Sequence, residues 1–231
     1  MSKFEYIKQN FEFVNEQIQE ISKRCGNPTP KLVAVTKSGS DDELIALCKA
    51  GALAIGENRP GELKRRAELL EENNLFPELH QIGTLQSNKA KLVCEKSCLI
   101  HSLDSLSLAK EIDKQGKKIG RKIPVLIEIN SAEEPQKSGI LPIEAERFLS
   151  DVLNFENLNV SGLMTMGPVT SETAIQRKYF RITKQLFDNL NSRYGFGENP
   201  TLSMGMSDSF EVAIEEGSTL VRIGRRLFIK N

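Results

Sequence analysis

Apolar and polar positions along this chain switch repeatedly between two periods, steps of three and four and short unbroken apolar runs. Phe4, Ile7, Phe11, Val14, Ile18 and Ile21 fall in steps of three and four, which predicts an amphipathic helix over residues 3–24 that Gly26 and Pro28 stop. Next comes KLVAVTK (31–37), rich in β-branched residues and too short for a helix. Ser40-Asp41-Asp42-Glu43 reads as a capping box opening a helix that Gly51 can close. Seven further apolar runs predict strands at 52–56, 79–83, 98–102, 123–129, 158–163, 201–204 and 219–223. Helical patterns lie between them at 58–73, 87–96, 104–118, 142–153, 171–194 and 207–216.

Eight strands alternating with helices demand a parallel sheet with right-handed crossovers, and eight such units suit a closed (β/α)8 TIM barrel with an extra N-terminal helix. An open doubly wound sheet is the alternative, and no G-x-G-x-x-G follows the first strand to support it. No linker, repeat or low-complexity segment divides the chain. One domain over 1–231 is therefore expected, with residues 1–26 packing on the barrel as its N-terminal helix.

Composition narrows the function. Thirty-one basic residues balance thirty-one acidic ones in 231 residues, which argues against nucleic-acid binding through bulk positive charge. The four cysteines form no CxxC pair and read as buried thiols in a reducing compartment. The N-terminus lacks a signal-peptide core and no run is long enough for a membrane span, so the cytoplasm is the expected location.

Chemistry in such barrels sits where strands end. Lys37 closes the first apolar strand; an apolar mouth around it would disfavour its charge and sharpen its amine as a nucleophile, as a Schiff base requires. Ser203-Met204-Gly205-Met206-Ser207 joins the seventh strand to a helix, with Ser207 where an N-cap belongs, and Arg222-Ile223-Gly224 ends the eighth. Loops after strands seven and eight are the recurrent phosphate site of this fold, and free amides at a helix start bind phosphate. Asp208 and Glu211 would repel an anion there, so they are expected to face solvent. Asn58, after the second strand, reads either as a ligand to a ring hydroxyl or as a helix cap. His80 and His101 lie too far apart in sequence for a strong metal site. His80 reads as packed or on the surface, and His101 as able to reach the mouth.

AVTK (34–37), GEN (56–58), IGTLQSNK (82–89), IHSLDS (100–105), KSG (137–139), GLMTM (162–166), LSMGMS (202–207) and GSTLVRIG (217–224) together resemble the YggS/PROSC family of pyridoxal phosphate homeostasis proteins along essentially the whole chain. The resemblance implies a fold-type III barrel like the N-terminal domain of alanine racemase, holding pyridoxal 5′-phosphate as a Schiff base on Lys37. It implies that Ser207, Gly224 and neighbouring amides hold the phosphate, that Ser203 and Met206 belong to the same cofactor-binding motif, and that Arg222 faces the pyridine nitrogen. Arginine only donates, so that nitrogen stays unprotonated and the ring is a poorer electron sink, which suits a carrier better than a catalyst.

Four positions depart from the family pattern. Ser209 stands where an acid is usual, Arg225 replaces a serine or threonine, Arg59 replaces an aromatic, and the usual glycine after Phe228 is missing. Arg225 would either contact the phosphate or swing away. Racemases add a tyrosine from a second domain, whereas Tyr6, Tyr179 and Tyr194 fall on expected outer helices. The expected protein is thus a carrier, plausibly monomeric, passing cofactor to apo-enzymes that depend on it. The alternatives are a low-activity amino-acid racemase or decarboxylase with water or His101 as second proton relay, and a barrel for an unmodified sugar phosphate.

Overall fold

The computed structural model describes residues 3–230; residues 1, 2 and 231 of the expected domain lie outside the described residues. Eight strands, β1 (Lys31–Val35), β2 (Ala54–Glu57), β3 (Glu78–Gln81), β4 (Leu99–Leu103), β5 (Ile123–Glu128), β6 (Leu158–Met164), β7 (Thr201–Ser203) and β8 (Leu220–Ile223), close into one barrel. Every strand is parallel to its neighbours, and β8 returns to β1 with Lys31 opposite Leu220 and Ala34 opposite Ile223. The open doubly wound sheet is thereby excluded.

Helices α1 (Glu5–Cys25), α2 (Asp41–Lys49), α3 (Pro60–Glu72), α4 (Ala90–Cys94), α5 (Leu106–Ile119), α6 (Ala145–Val152), α7 (Thr173–Tyr194) and α8 (Phe210–Glu215) surround it. Seven of them, α2 to α8, make the crossovers. The expected extra N-terminal helix packs directly on the barrel. Ile7, Val14, Ile18 and Ile21 of α1 pack in one cluster with Leu47 of α2, Phe210 and Ile214 of α8, and Ala34, Val221 and Ile223 of the strands beneath. α1 thus occupies the eighth place, over the β8–β1 seam, and Asn10 Nδ2 ties it to the carbonyl of Ile229 at 2.8 Å.

Local signals set most boundaries as expected. Gly26 ends α1 in the left-handed conformation at φ 70°, and Ser40 and Glu43 form the reciprocal capping box of α2. Two expected helices, 87–96 and 142–153, each begin with one turn of 3-10 helix. α8 departs most from expectation, starting at Phe210 rather than at 207. Ser209 Oγ accepts the Met206 amide at 3.1 Å and the Ser209 amide returns to the Met206 carbonyl, so a closed turn uses the residues expected to be helical. Ser207 is therefore not the N-cap.

The two-residue period of the strands sorts side chains radially. Along β8, Val221 and Ile223 pack outward under α1, while Leu220 packs inside the barrel against Val33, Ala54, Leu99, Leu126 and Met164. Arg222, between the two outward residues, must point inward with Leu220. An arginine inside a barrel needs partners, and the site supplies them.

Candidate functional site

A cavity of about 810 Å³ opens where the strands end, a size suited to a small organic ligand. Seven of the eight expected ligand residues line it: Lys37, Asn58, Met206, Ser207, Arg222, Gly224 and Arg225. The eighth, Ser203, is a correction. It is fully buried beneath the cavity and meets Arg222 and His101 rather than a ligand.

Lys37 stands in the turn past β1 and is exposed, where the sequence pointed to an apolar surrounding. Its amine makes no hydrogen bond or ion pair with any described residue. The turn carrying it is anchored from the next crossover. Arg66 of α3, 5% exposed, donates from Nη1 to the Thr36 carbonyl at 2.6 Å and from Nη2 to the Gly39 carbonyl at 2.7 Å. Glu57, at the end of β2, pairs with the same guanidinium at 2.8 Å and accepts from the Thr36 hydroxyl. Burial pushes the Glu57 carboxyl up, while Thr36 and Arg66 pull it down. Asn58 lies exposed beside these groups, and α3 is capped without its side chain, so the capping reading falls.

Beside the lysine turn, on the β8 side of β1, the ends of β7 and β8 supply anion-binding geometry. Gly205 is held at φ +94°, and a Cβ there would lie 2.5 Å from that of Ala213. A Cβ on Gly224 would come within 2.9 Å of the Val35 carbonyl, so a glycine is what lets β8 end against the strand that bears Lys37. The amides of Ser207 and Asp208 donate to no described group, and the Ser207 hydroxyl receives only a long bond from the Gly224 amide at 3.4 Å. Free amides beside a hydroxyl on a tight turn match a phosphate dianion. Asp208 does face solvent as expected, and it pairs there with Arg225, whose guanidinium is thereby drawn into an exposed rim contact. Glu211 lies outward with Arg24 at 2.9 Å.

Inside the barrel the two histidines meet, contrary to the sequence reading. His80 Nδ1 and His101 Nε2 are 2.9 Å apart, and both rings are buried. His101 Nδ1 is 3.0 Å from Ser203 Oγ, which accepts from Arg222 Nη1; Arg222 Nη2 donates to the Thr165 carbonyl at 3.0 Å. At the other end His80 Nε2 is 3.3 Å from Glu78, which pairs with Lys31.

Donor chemistry gives this chain one direction. Arg222 can only donate, so the Ser203 hydrogen turns to His101 Nδ1. His101 then donates from Nε2 to His80, and His80 from Nε2 to the Glu78 carboxylate. The buried rings agree: burial lowers both histidines, His101 well below its ordinary value, while His80 and then Lys31 hold Glu78 down at about 2. Arg222 is lowered to about 10 by burial and stays charged at neutral pH. Ser203→Ala, which unpairs His101 and one arm of Arg222, is expected to cost about 1–3 kcal/mol in a denaturant titration.

One ionisable cavity residue escaped the sequence reading. Glu128 ends β5 and is 4% exposed. The visible signal was a lone acid in the apolar run 123–129. Among the described residues no cluster of three or more metal-ligating side chains occurs, and no helix is long and apolar enough to cross a membrane.

A closed parallel barrel with an unpaired lysine and two free amides, those following β7, at one mouth places the chain in the class of (β/α)8 barrels whose ligand cavity lies at the strand ends. Residues 10–231 match the alanine racemase N-terminal domain. A pyridoxal phosphate homeostasis protein of Aquifex aeolicus is 40% identical over 217 residues, covering 93% of this chain and 94% of that protein. Its namesake in Escherichia coli is 34% identical over 225 residues, 96% and 95% of the two chains. The chain belongs to the alanine racemase N-terminal domain family, among the pyridoxal phosphate homeostasis proteins.

Among solved structures, PipY of Synechococcus elongatus with PLP bound superposes with a TM-score of 0.84 at 26% identity, covering 96% of this chain and all of that one. Alanine racemase from Corynebacterium glutamicum shares the fold, with a TM-score of 0.69 at 21% identity, over 97% of this chain and 61% of that one.

Proposed function

We propose that this chain, as a single barrel domain, binds pyridoxal 5′-phosphate, holds it as a Schiff base on Lys37, and serves vitamin B6 homeostasis in the cytoplasm as a carrier for apo-enzymes. The observation that carries the reading is the unpaired Lys37 amine sharing one cavity with the free amides of Ser207 and Asp208. The names of the relatives and the PLP-bound neighbour support the choice of cofactor.

When bound, pyridoxal phosphate supplies an aldehyde for covalent attachment and a ring that can accept electrons. The chain's own residues determine how far that chemistry goes. The amides of Ser207 and Asp208 and the Ser207 hydroxyl bind the anion. Arg222, fixed by Ser203 and Thr165, would hold the ring nitrogen as a donor and, because arginine only donates, would leave that nitrogen unprotonated. Asn58, which lines the same cavity as Lys37, would hold the ring hydroxyl with its amide.

Racemisation needs an acid/base on each side of the reacting carbon. No tyrosine, histidine or cysteine lines the cavity. Tyr6 and Tyr194 are bound to Glu43 and Glu146 on the outside, and His101 is sealed beneath Arg222. A water relay, or Glu128, keeps the racemase reading open. Incubation with L-amino acids in deuterated water separates the two readings: slow or absent α-exchange fits a carrier, whereas turnover at ordinary enzymatic rates defeats it. The cofactor assignment is tested by soaking the protein in pyridoxal phosphate, reducing with borohydride and mapping the adduct by mass. A visible absorbance band with label on Lys37 is expected. A colourless, unlabelled protein that still binds phosphate esters would indicate the sugar-phosphate alternative.

A further inference from the structure

Glu128 has surroundings unlike those of any other buried acid near the mouth. Glu57 has Thr36 and Arg66, but the Glu128 carboxyl makes no hydrogen bond or ion pair with any described residue, and its Oε2 is sealed from solvent without a partner. A buried polar atom left so calls for a partner from outside the chain. The residue lines the main cavity and a smaller one beside it that Lys137 and Ser138 also line. In a ring of eight strands β5 stands four places from β1, so Glu128 and Lys37 occupy opposite sides of one mouth.

The charged groups around it come from several elements. Asp104, past β4, adds like charge behind Glu128, and Arg222 of β8 adds opposite charge. Arg222 donates to Ser203 and to Thr165 and makes no hydrogen bond or ion pair with Glu128. Lys37 lines the main cavity, Lys137 lines the smaller one and pairs with Glu134 at 2.6 Å, and Asp208 and Arg225 offset each other at the rim. Burial, then Asp104, pushes the Glu128 carboxyl up to about 7, so its charge changes near neutral pH.

We infer that Glu128 is the seat for a primary ammonium group entering the mouth opposite Lys37, and that the second ligand of this cavity is an amine without a carboxylate beside its nitrogen. An ammonium offers three donors to a carboxyl that has none. Before its nitrogen can act as a nucleophile the ammonium must lose a proton, and the Glu128 carboxylate accepts it: one N–H bond breaks and one O–H bond forms. An α-amino acid brings its own carboxylate against Glu128 and Asp104, where like charges repel. A lysyl side chain or a small alkylamine brings none. The cavity thus favours amines of the kind an acceptor protein presents and disfavours the substrates of a racemase. For the loaded protein the inference rests on the pyridoxal phosphate reading; for the empty cavity it stands by itself.

The test compares wild type with Glu128→Gln, which keeps the shape and removes the charge. The loaded proteins are titrated with Nα-acetyl-lysine amide, propylamine and glycine, following the visible band and reductive trapping. Wild type is expected to respond to both carboxylate-free amines at concentrations about tenfold below glycine, and the variant to lose about that factor of discrimination. Preference between the first two amines separates a lysyl side chain from a free alkylamine as the source.

The empty proteins give two further readouts. Propylammonium binding, followed by NMR, is expected in wild type and lost in the variant. The stability of empty wild type should fall as pH rises from the ordinary carboxylate range to about 7, because the folded state retains a proton on Glu128, and the variant should lack that slope. Unchanged selectivity together with unchanged propylammonium binding would overturn the inference while leaving a labelled Lys37 intact. Absent label on Lys37, with propylammonium binding still dependent on Glu128, would overturn the cofactor reading alone.

Discussion

Lys37→Ala is expected to abolish the visible band and the borohydride-trapped adduct of the protein soaked in pyridoxal phosphate, with almost no effect on folding. The size of the first effect follows from chemistry. Among the cavity-lining residues only Lys37 and two arginines are basic, and a guanidinium does not condense with an aldehyde under conditions in which it stays protonated. The smallness of the second follows from position. The side chain is exposed, lies past the end of β1 and contacts no partner, so its loss belongs with surface substitutions worth about 0.5 kcal/mol or less. The free amides of Ser207 and Asp208 and the Arg222 donor remain, so the variant should still take up cofactor reversibly, seen as fluorescence quenching that dialysis removes. A persistent adduct on another residue would defeat the assignment of Lys37.

Arg66→Met is expected to be the most destabilising change near the site, at about 3–5 kcal/mol, because it strands a buried partner. The carbonyls of Thr36 and Gly39, bonded at 2.6 and 2.7 Å, lose their donor, and the Glu57 carboxylate, paired at 2.8 Å, loses its counter-charge and keeps only the Thr36 hydroxyl. The first two flank Lys37, so cofactor labelling should slow as well.

The pH dependence has a definite sign. In wild type burial already raises Glu57, and Thr36 and Arg66 offset part of that. Without Arg66 the folded state holds the Glu57 proton more strongly than the unfolded chain does. Stability is then retained at low pH and lost as pH rises through the folded value. Denaturant titrations of the variant should show its deficit smaller in mild acid than at neutral pH. Adding Glu57→Gln should recover part of the loss, since no charge is then left buried and unpaired. A deficit independent of pH would show that Arg66 acts through packing alone.

Much of this protein was legible in the order of its residues. Alternating periods specify eight strands and the helices between them, since a half-turn of strand and a third-turn of helix leave different spacings of apolar residues. Gly26 and the Ser40–Glu43 box mark helix ends by chemistry that acts within one turn. Lys37, Arg222 and the glycine turns stand at strand ends, and closure of the barrel brings any set of strand ends to one rim.

The partners of the inward side chains were not legible. His80 and His101 are twenty-one positions apart in sequence and 2.9 Å apart in the barrel, Ser203 supports Arg222 instead of lining the cavity, and Arg66 reaches from the next crossover to the lysine turn. The turn at Met206–Ser209 delayed α8 because the Ser209 hydroxyl and amide close it on the amide and carbonyl of Met206. Glu128 stands unpaired for the same reason that the histidines are paired. A strand's period says which residues point into the barrel, but only the ring's closure and stagger decide which of them arrive within a hydrogen bond of one another.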